Sequence, residues 1–220
     1  MCIRDSRNDA HDTHSLSHNH IQTLYEDHSG KFWVGTENGL NLFDQEKGNF
    51  RNFFHDPSDA YSLSQNDITA IYEDRSGNLW FGTKGGGINH YAQSKDRFRR
   101  YNYIPNDPNS IGAPNVGAIV QDSNGAIWLG LYNGGLDRLD PVTGQIVHYR
   151  HEANNPHSLI HDHVAALAIN HRGILWIGTA VGLDRFDPVN EQFVHYIHDP
   201  ENLLSPVSYT HLTLPTIYSV

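Results

Sequence analysis

The chain has 220 residues, of which 38% are hydrophobic and 18% charged, a balance that excludes a disordered polymer and leaves room for a sizeable core. No apolar run is long enough to cross a bilayer as a helix. A formal net charge of −10 with no basic run argues against nucleic acid or an anionic membrane surface as partner, and leaves a small neutral or cationic ligand open.

In chain order, the first segment does not read as protein. MCIRDS (residues 1–6) back-translates to a stretch whose reverse complement encodes VSYTH, which recurs at Val207 to His211. An inverted pair of this kind reads as translated adapter from a sequencing library, and LTLPTIYSV extends it, so residues 1–6 and 207–220 are set aside from fold reasoning. On this reading Met1 is not the native start and Cys2, the only cysteine, is not native. The remainder is then expected to be a piece of a longer protein without disulfide or thiol chemistry.

Residues 7–14 read as the tail of a repeating unit, and four units follow at 15–61, 62–109, 110–157 and 158–202, with the start of another at 203–206. Trp33, Trp80, Trp128 and Trp176 are the only tryptophans and recur at intervals of 47, 48 and 48 residues. Each unit opens on an apolar stretch: IQTLYED, ITAIYED, VGAIVQD or VAALAIN. A Gly-containing turn such as DRSG leads to a short run holding the tryptophan, as in NLWFGT. A Gly-rich turn such as KGGG follows, then a third run (INHY, LDRLD, LDRFD) and a fourth (FRNFF, FRRYNY, IVHYR, FVHYI). A polar, Pro-containing loop such as NDPNSIGAPN closes the unit.

Short β-rich runs with turn chemistry between them predict strands, and no stretch sustains a 3.6-residue period. Four antiparallel strands per unit predict an all-β architecture, a β-propeller fragment of four blades forming an open arc of a larger ring. Asp74 is expected to cap its own turn and Gly77 to take positive φ. Trp33, Trp80, Trp128 and Trp176 are assigned as structural, filling the wedge between blades, in preference to a ligand platform. Strand parity places the long inter-blade loops and the turns between second and third strands on one face, the expected functional one because function concentrates on loops held by a rigid scaffold.

The stretch SLSQNDITAIYEDRSGNLWFGTKGGGINHY resembles the two-component regulator propeller repeat: Asn, a β-run ending in Glu-Asp, Gly, two residues, then Trp-Ile-Gly-Thr and a Gly-Gly-Leu turn. Copies three and four depart from it, with Leu131 for Thr, Ala168 to Asn170 for YED and APN for QND. The resemblance implies a ring of about seven blades in the sensor module of a bacterial receptor. It further implies a periplasmic or otherwise extracytoplasmic location, a membrane-anchored and dimeric full-length protein, and an oligosaccharide or other small-molecule ligand. The remaining blades and a downstream histidine kinase or diguanylate cyclase would then be its partners within the same receptor. No catalysis, cofactor or metal is expected in this stretch, and no nucleic acid as partner.

Other chemistries were weighed against this. His18 with His20 and His161 with His163 offer His-x-His pairs, but Gln65, Asp67, Ala113 and Asn115 stand at the matching positions, and zinc needs three or four convergent ligands. Loop histidines are the favoured reading. The turn series Asp27, Asp74, Asp122 and Asn170 supplies at most one carboxylate per turn, too few oxygens for calcium. A propeller enzyme of lyase or glycosidase type is the alternative function. GNLWFGT resembles the streptogramin lyase motif, but the His–acid pairs evident in the sequence, such as His55–Asp56 and His198–Asp199, are loop-borne. The Asp74-to-Trp80 spacing is one residue longer than a sialidase Asp-box. A protein-binding scaffold is a third reading. Candidate ligand contacts on the loop face are Asn19, His20, Glu37, Asn38, Asn66, Asp67, Lys84, Asn115, Tyr132, Asn133, Asp162 and His163.

Overall fold

The structure, a computed structural model, describes residues 6–92 and 96–198. Most of MCIRDS, the unit start at 203–206 and the whole of 207–220 therefore lie outside the described residues.

Among the described residues, sixteen strands fold as four antiparallel meanders. The first sheet holds β1 (Ile21–Glu26), β2 (Phe32–Thr36), β3 (Gly39–Asp44) and β4 (Asn49–Phe53). The second holds β5 (Ile68–Glu73), β6 (Leu79–Thr83), β7 (Ile88–Ala92) and β8 (Arg97–Tyr101). The third holds β9 (Val116–Gln121), β10 (Ile127–Leu131), β11 (Gly135–Leu139) and β12 (Ile146–Tyr149). The fourth holds β13 (Val164–Ile169), β14 (Leu175–Thr179), β15 (Leu183–Asp187) and β16 (Gln192–Tyr196). In every sheet the strands pair in sequence order, and neighbouring sheets meet along their first strands, β1 with β5, β5 with β9 and β9 with β13. The sheets are blades, and together they form an unclosed arc of a β-propeller.

Each first strand carries one extra residue near its start, at Gln22, Thr69, Gly117 and Ala165, where the register against the second strand slips. These bulges re-aim a side chain out of the alternating pattern. Gln22 Nε2 donates to the Asp67 carboxylate and Thr69 Oγ1 to the Val116 carbonyl, so in the first two blades the bulged residue links one blade to the next.

The tryptophans fill the wedges between blades. Trp33 meets Phe81 and Tyr91 of the following blade at ring distances of 5.5 and 5.6 Å. Trp80, fully buried, packs among Ile111, Val116, Ile127 and Leu129. Trp128 meets Phe186 at 5.1 Å. Trp176, in the last described blade, is half-buried and lies on Tyr196 of its own sheet. At the other end of the arc, β1 presents Ile21 and Leu24 at 46% and 55% exposure, while Ile68 and Ile71, at the matching positions of β5, pack against the Trp33 cluster.

A buried indole N–H needs an acceptor. The turn aspartate supplies it: Trp33, Trp80 and Trp128 donate from Nε1 to Asp27, Asp74 and Asp122 at 2.9, 2.9 and 2.8 Å. The other oxygen of Asp74 accepts the N–H groups of Ser76 and Asn78, each at 2.9 Å. The aspartate thus caps its turn, as expected from sequence, and also satisfies the tryptophan six residues on. Burial opposes ionisation of Asp27, but hydrogen bonds from Ser29, Trp33 and Lys31 outweigh it and hold the carboxyl below its ordinary range. Asn170 keeps the turn bonds to Arg172 and Ile174.

Trp80→Ala is expected to cost about 3–5 kcal/mol, in the range for large buried side chains, and Trp176→Ala clearly less. Denaturant titration of the two variants checks the order. Asp74→Asn should keep the turn but present an amide NH2 or a weaker acceptor to Trp80, costing about 1–3 kcal/mol as for a buried donor losing its partner. An unchanged midpoint for Asp74→Asn in the same titration would show that the indole bond contributes nothing.

Candidate functional site

The loop face is built on a backbone frame repeated in every blade. The residue before each first strand accepts from the start of the turn between second and third strands: Glu37 N to His20 O, Lys84 N to Asp67 O, Tyr132 N to Asn115 O and Ala180 N to His163 O, all within 2.9–3.2 Å. One residue earlier the loops tie to the preceding blade. Gly39 N donates to Asn66 O at 2.7 Å, Gly87 N to Pro114 O at 2.9 Å and Gly135 N to Asp162 O at 2.7 Å. Gly135 has φ of 69°, a conformation that makes glycine the natural occupant of this turn.

The twelve candidate residues divide on this frame. Asn19, Asn66 and Asp162 occupy one repeated position, and each side-chain oxygen accepts a backbone N–H eleven residues upstream, from Asn8, His55 and His151 at 2.8, 2.6 and 2.7 Å. These three fasten the inter-blade loop, and Asn66 also donates to Asn38 Oδ1 at 3.1 Å. Asn133 has φ of 61° in its turn. The other candidates come together as pairs. His20 Nδ1 lies 2.8 Å from Glu37 Oε1, Lys84 Nζ lies 4.0 Å from Asp67, and the rings of Tyr132 and His163 stack at 4.8 Å across adjacent blades. Asn115 is beside Tyr132 through the backbone bond. Gly117 makes room for this arrangement, since a Cβ there would stand 2.7 Å from Tyr132 Cζ.

The histidine pairs do not converge. His18 Nδ1 accepts from His20 N at 3.2 Å and His161 Nδ1 from His163 N at 2.9 Å, so the first histidine of each pair caps its own loop. Among the described residues no group of three His, Cys, Asp or Glu side chains is placed to hold a metal.

Two His–acid pairs escaped the sequence reading, which found only loop-borne ones. The third strand of each blade buries a polar residue at a fixed position: Asn41, Asn89, Asp137 and Asp184, all fully buried. Each accepts the N–H of the loop leading into its blade, from Ser17, Ser64, Gly112 and Ile160. The fourth-strand residue opposite completes a latch. Asn52 and Arg100 reach loop carbonyls at Ser15 and Ser62. His148 lies between Asp137 Oδ1 at 2.7 Å and Pro108 O at 3.0 Å. His195 lies between Asp184 Oδ1 at 2.6 Å and Pro156 O at 2.9 Å. A carboxylate and a carbonyl only accept, so at His148 both ring nitrogens donate, as in the imidazolium. The Asp137 hydrogen bond raises the His148 pKa against the opposing effect of burial and of Arg150, which lies 3.2 Å from the same carboxylate. Burial pushes the Asp184 carboxyl up, against the bonds from Ile160 and His195. A histidine with both nitrogens engaged is a poor general base, and these pairs are latches. The sequence signal was the alignment of Asn41, Asn89, Asp137 and Asp184 eleven residues before their partners.

The opposite face is clasped as well. His28 N donates to Glu73 Oε2 at 2.8 Å and Arg75 N to Gln121 Oε1 at 2.9 Å, each across a blade boundary.

Tryptophan-wedged antiparallel meanders, with a uniform backbone frame under differing loop side chains, define a β-propeller arc. Residues 15–38, 62–85 and 110–133 match the family described as two component regulator propeller. The fourth copy, where Asn170 stands for aspartate, lies outside the matched residues. The structure is similar to the extracellular domain of the hybrid two component system BT3049 from B. thetaiotaomicron, with 28% identity and a TM-score of 0.74 over 83% of this chain and 25% of that one. It is similar also to the extracellular domain of the hybrid two component system BT4673 from the same organism, with 25% identity and a TM-score of 0.70 over 88% of this chain and 26% of that one. An auxiliary nutrient binding protein from Bacteroides ovatus shares the fold, at 9% identity and a TM-score of 0.55 over 82% of this chain and 43% of that one. The chain thus spans about a quarter of the length of the two receptor domains. No curated protein matches it in sequence.

His148→Asn, which installs the residue found at the matching position of the first blade, is expected to lose most stability in acid and near neutrality. A raised folded pKa means that the latch contributes fully below the ordinary histidine value of about 6.5 and fades as pH rises through the folded value. Thermal midpoints of the two proteins should therefore converge as pH rises. A gap independent of pH would exclude the imidazolium.

Proposed function

We propose that this chain is part of the ligand-recognition surface of an extracytoplasmic bacterial receptor, and that its ligand is an oligosaccharide. The ligand seats on the loop face, and its binding is passed to a kinase or cyclase elsewhere in the same membrane-anchored, dimeric protein. Blades at 15–61, 62–109, 110–157 and 158–202 each contribute one entering loop and one turn to that surface.

The observation that carries this reading is the contrast between frame and side chains. Four equivalent backbone hydrogen bonds support four different pairs: His20 with Glu37, Asp67 with Lys84, Asn115 with Tyr132 and His163 with Ala180. A scaffold that keeps its backbone constant while its tips differ in charge and shape is suited to recognition, since function gathers on loops held rigidly from below. Polar donors beside an aromatic ring suit a sugar, whose hydroxyls need hydrogen bonds and whose ring faces are apolar. The extracellular, two-component setting of the similar structures supports the location and the role.

Calorimetric titration with oligosaccharides from enzymatic digests of plant and host glycans tests the proposal. Saturable binding to one of them, weakened tenfold or more by Lys84→Ala and by Tyr132→Ala, is the expected result. Binding that survives both substitutions would place the ligand elsewhere, and absence of binding to every digest would remove the oligosaccharide.

A further inference from the structure

In an acidic chain, with 15 Lys and Arg against 25 Asp and Glu, the fourth strand of the second blade reads RFRRY. The matching strands read NFRNF, IVHY and QFVHY, so the concentration of arginine is peculiar to this blade. Arg100 is used structurally, donating to Ser62 O and Asp59 O at 2.8 and 2.7 Å. Arg97 and Arg99 are exposed, and among the described residues neither has a carboxylate within ion-pair distance. Asp96, next in sequence to Arg97, is instead engaged by Arg51 and by the Tyr91 hydroxyl.

The two guanidinium groups are nevertheless ordered. Arg97 Cζ lies 4.6 Å from the centre of the Tyr61 ring and Arg99 Cζ 4.8 Å from that of Tyr101. Stacking fixes the plane of a guanidinium while leaving its edge N–H donors free, which is the preorganised state of a carboxylate-binding fork. Both arginines line a cavity of about 570 Å³ together with Tyr61, His90, Ala92 and Phe98. That volume lies within the range of roughly 300–1,000 Å³ usual for small-ligand sites. The floor of this region holds unmet polar atoms. His90 stacks on Trp80 at 4.4 Å, and among the described residues its buried Nε2 has no hydrogen-bond partner, nor has the buried hydroxyl of Tyr101. Buried polar atoms without partners are few in folded proteins and call for an explanation. Burial lowers the His90 pKa, as does Arg99, against the attraction of Asp74, which favours a neutral ring beneath the two guanidinium groups.

We propose that the outer rim of the second blade is a binding site for a small carboxylate ligand, gripped by Arg97 and Arg99 above the His90 ring. The site is separate from the loop face and does not depend on the oligosaccharide reading. Its wall of stacked aromatic rings favours a ligand with an apolar or ring-shaped body behind the acid group.

The test uses the whole chain and three probes, glucuronate, benzoate and citrate, with glucose as an uncharged counterpart and sodium chloride at matched ionic strength. Binding is read by calorimetry and by the His90 ring signals in NMR. The expected result is saturable binding of at least one acid, no response to glucose or chloride, and a tenfold or greater loss in the double variant R97Q/R99Q. That variant should stay folded and melt close to the parent, because among the described residues neither guanidinium makes a hydrogen bond or ion pair and each gives up only its ring contact. A response equalled by sodium chloride, equal binding by the double variant, or no binding of any of the three acids would overturn the proposal.

Discussion

A blade of this protein has two apolar faces and no way to cover either by itself. Each four-stranded meander satisfies its own ladder, so what joins one sheet to the next is chiefly the interlocking of side chains. The tryptophan of the second strand is the piece that fits the widening gap between two twisted sheets, and Trp33, Trp80 and Trp128 each reach into the following blade. An indole could not serve there with its N–H unpaired. The turn aspartate six residues earlier therefore belongs to the same device as the ring, and one carboxylate shapes the hairpin and completes the wedge.

Where the inter-blade loops are fastened, two chemistries perform one task. The first two blades bury an amide, Asn41 or Asn89, and the next two bury a carboxylate, Asp137 or Asp184. A buried carboxylate without a partner is costly. His148, its pKa raised by Asp137, and His195, with a ring nitrogen 2.6 Å from Asp184, answer the two carboxyls, whereas Asn52 and Arg100 turn to carbonyls instead. The arc is thus uniform in backbone and divided in electrostatics, with its second half alone held by titratable pairs at this position.

Much of this was legible in the sequence because the repeat is strict where geometry is strict. The spacing of Trp33, Trp80, Trp128 and Trp176, the Gly-rich turns and the alternating runs dictate four antiparallel strands per unit and the open arc that results. The Asp74 turn cap was legible too, since an aspartate two residues before a turn N–H is a local matter. Its bond to Trp80 was not, because it needs the hairpin to fold first. The candidate surface was legible as a face but not as individual roles. Nothing in the composition of a loop distinguishes Asn66, consumed by the N–H of His55, from Lys84, whose ammonium stands in solvent. The Asp–His latches were missed because their partners lie on adjacent strands and gain meaning only when a carbonyl from the preceding loop closes the other side.

The bulge at the head of each first strand bears on how such a chain can change over generations. Inner-strand positions such as Ile68 and Val116 are fully buried among their neighbours, so a replacement there must be matched by another. The bulged residue has been taken out of the alternation, and it is Gln22, Thr69, Gly117 and Ala165 in successive blades, spanning an amide, a hydroxyl, no side chain and a methyl. Mutation can sample that position without disturbing the register that follows it. Copying a blade therefore supplies a ready-made frame together with one inner-strand position whose occupant answers to its own local contacts rather than to the alternation of the sheet, where a duplicate can diverge from its parent first.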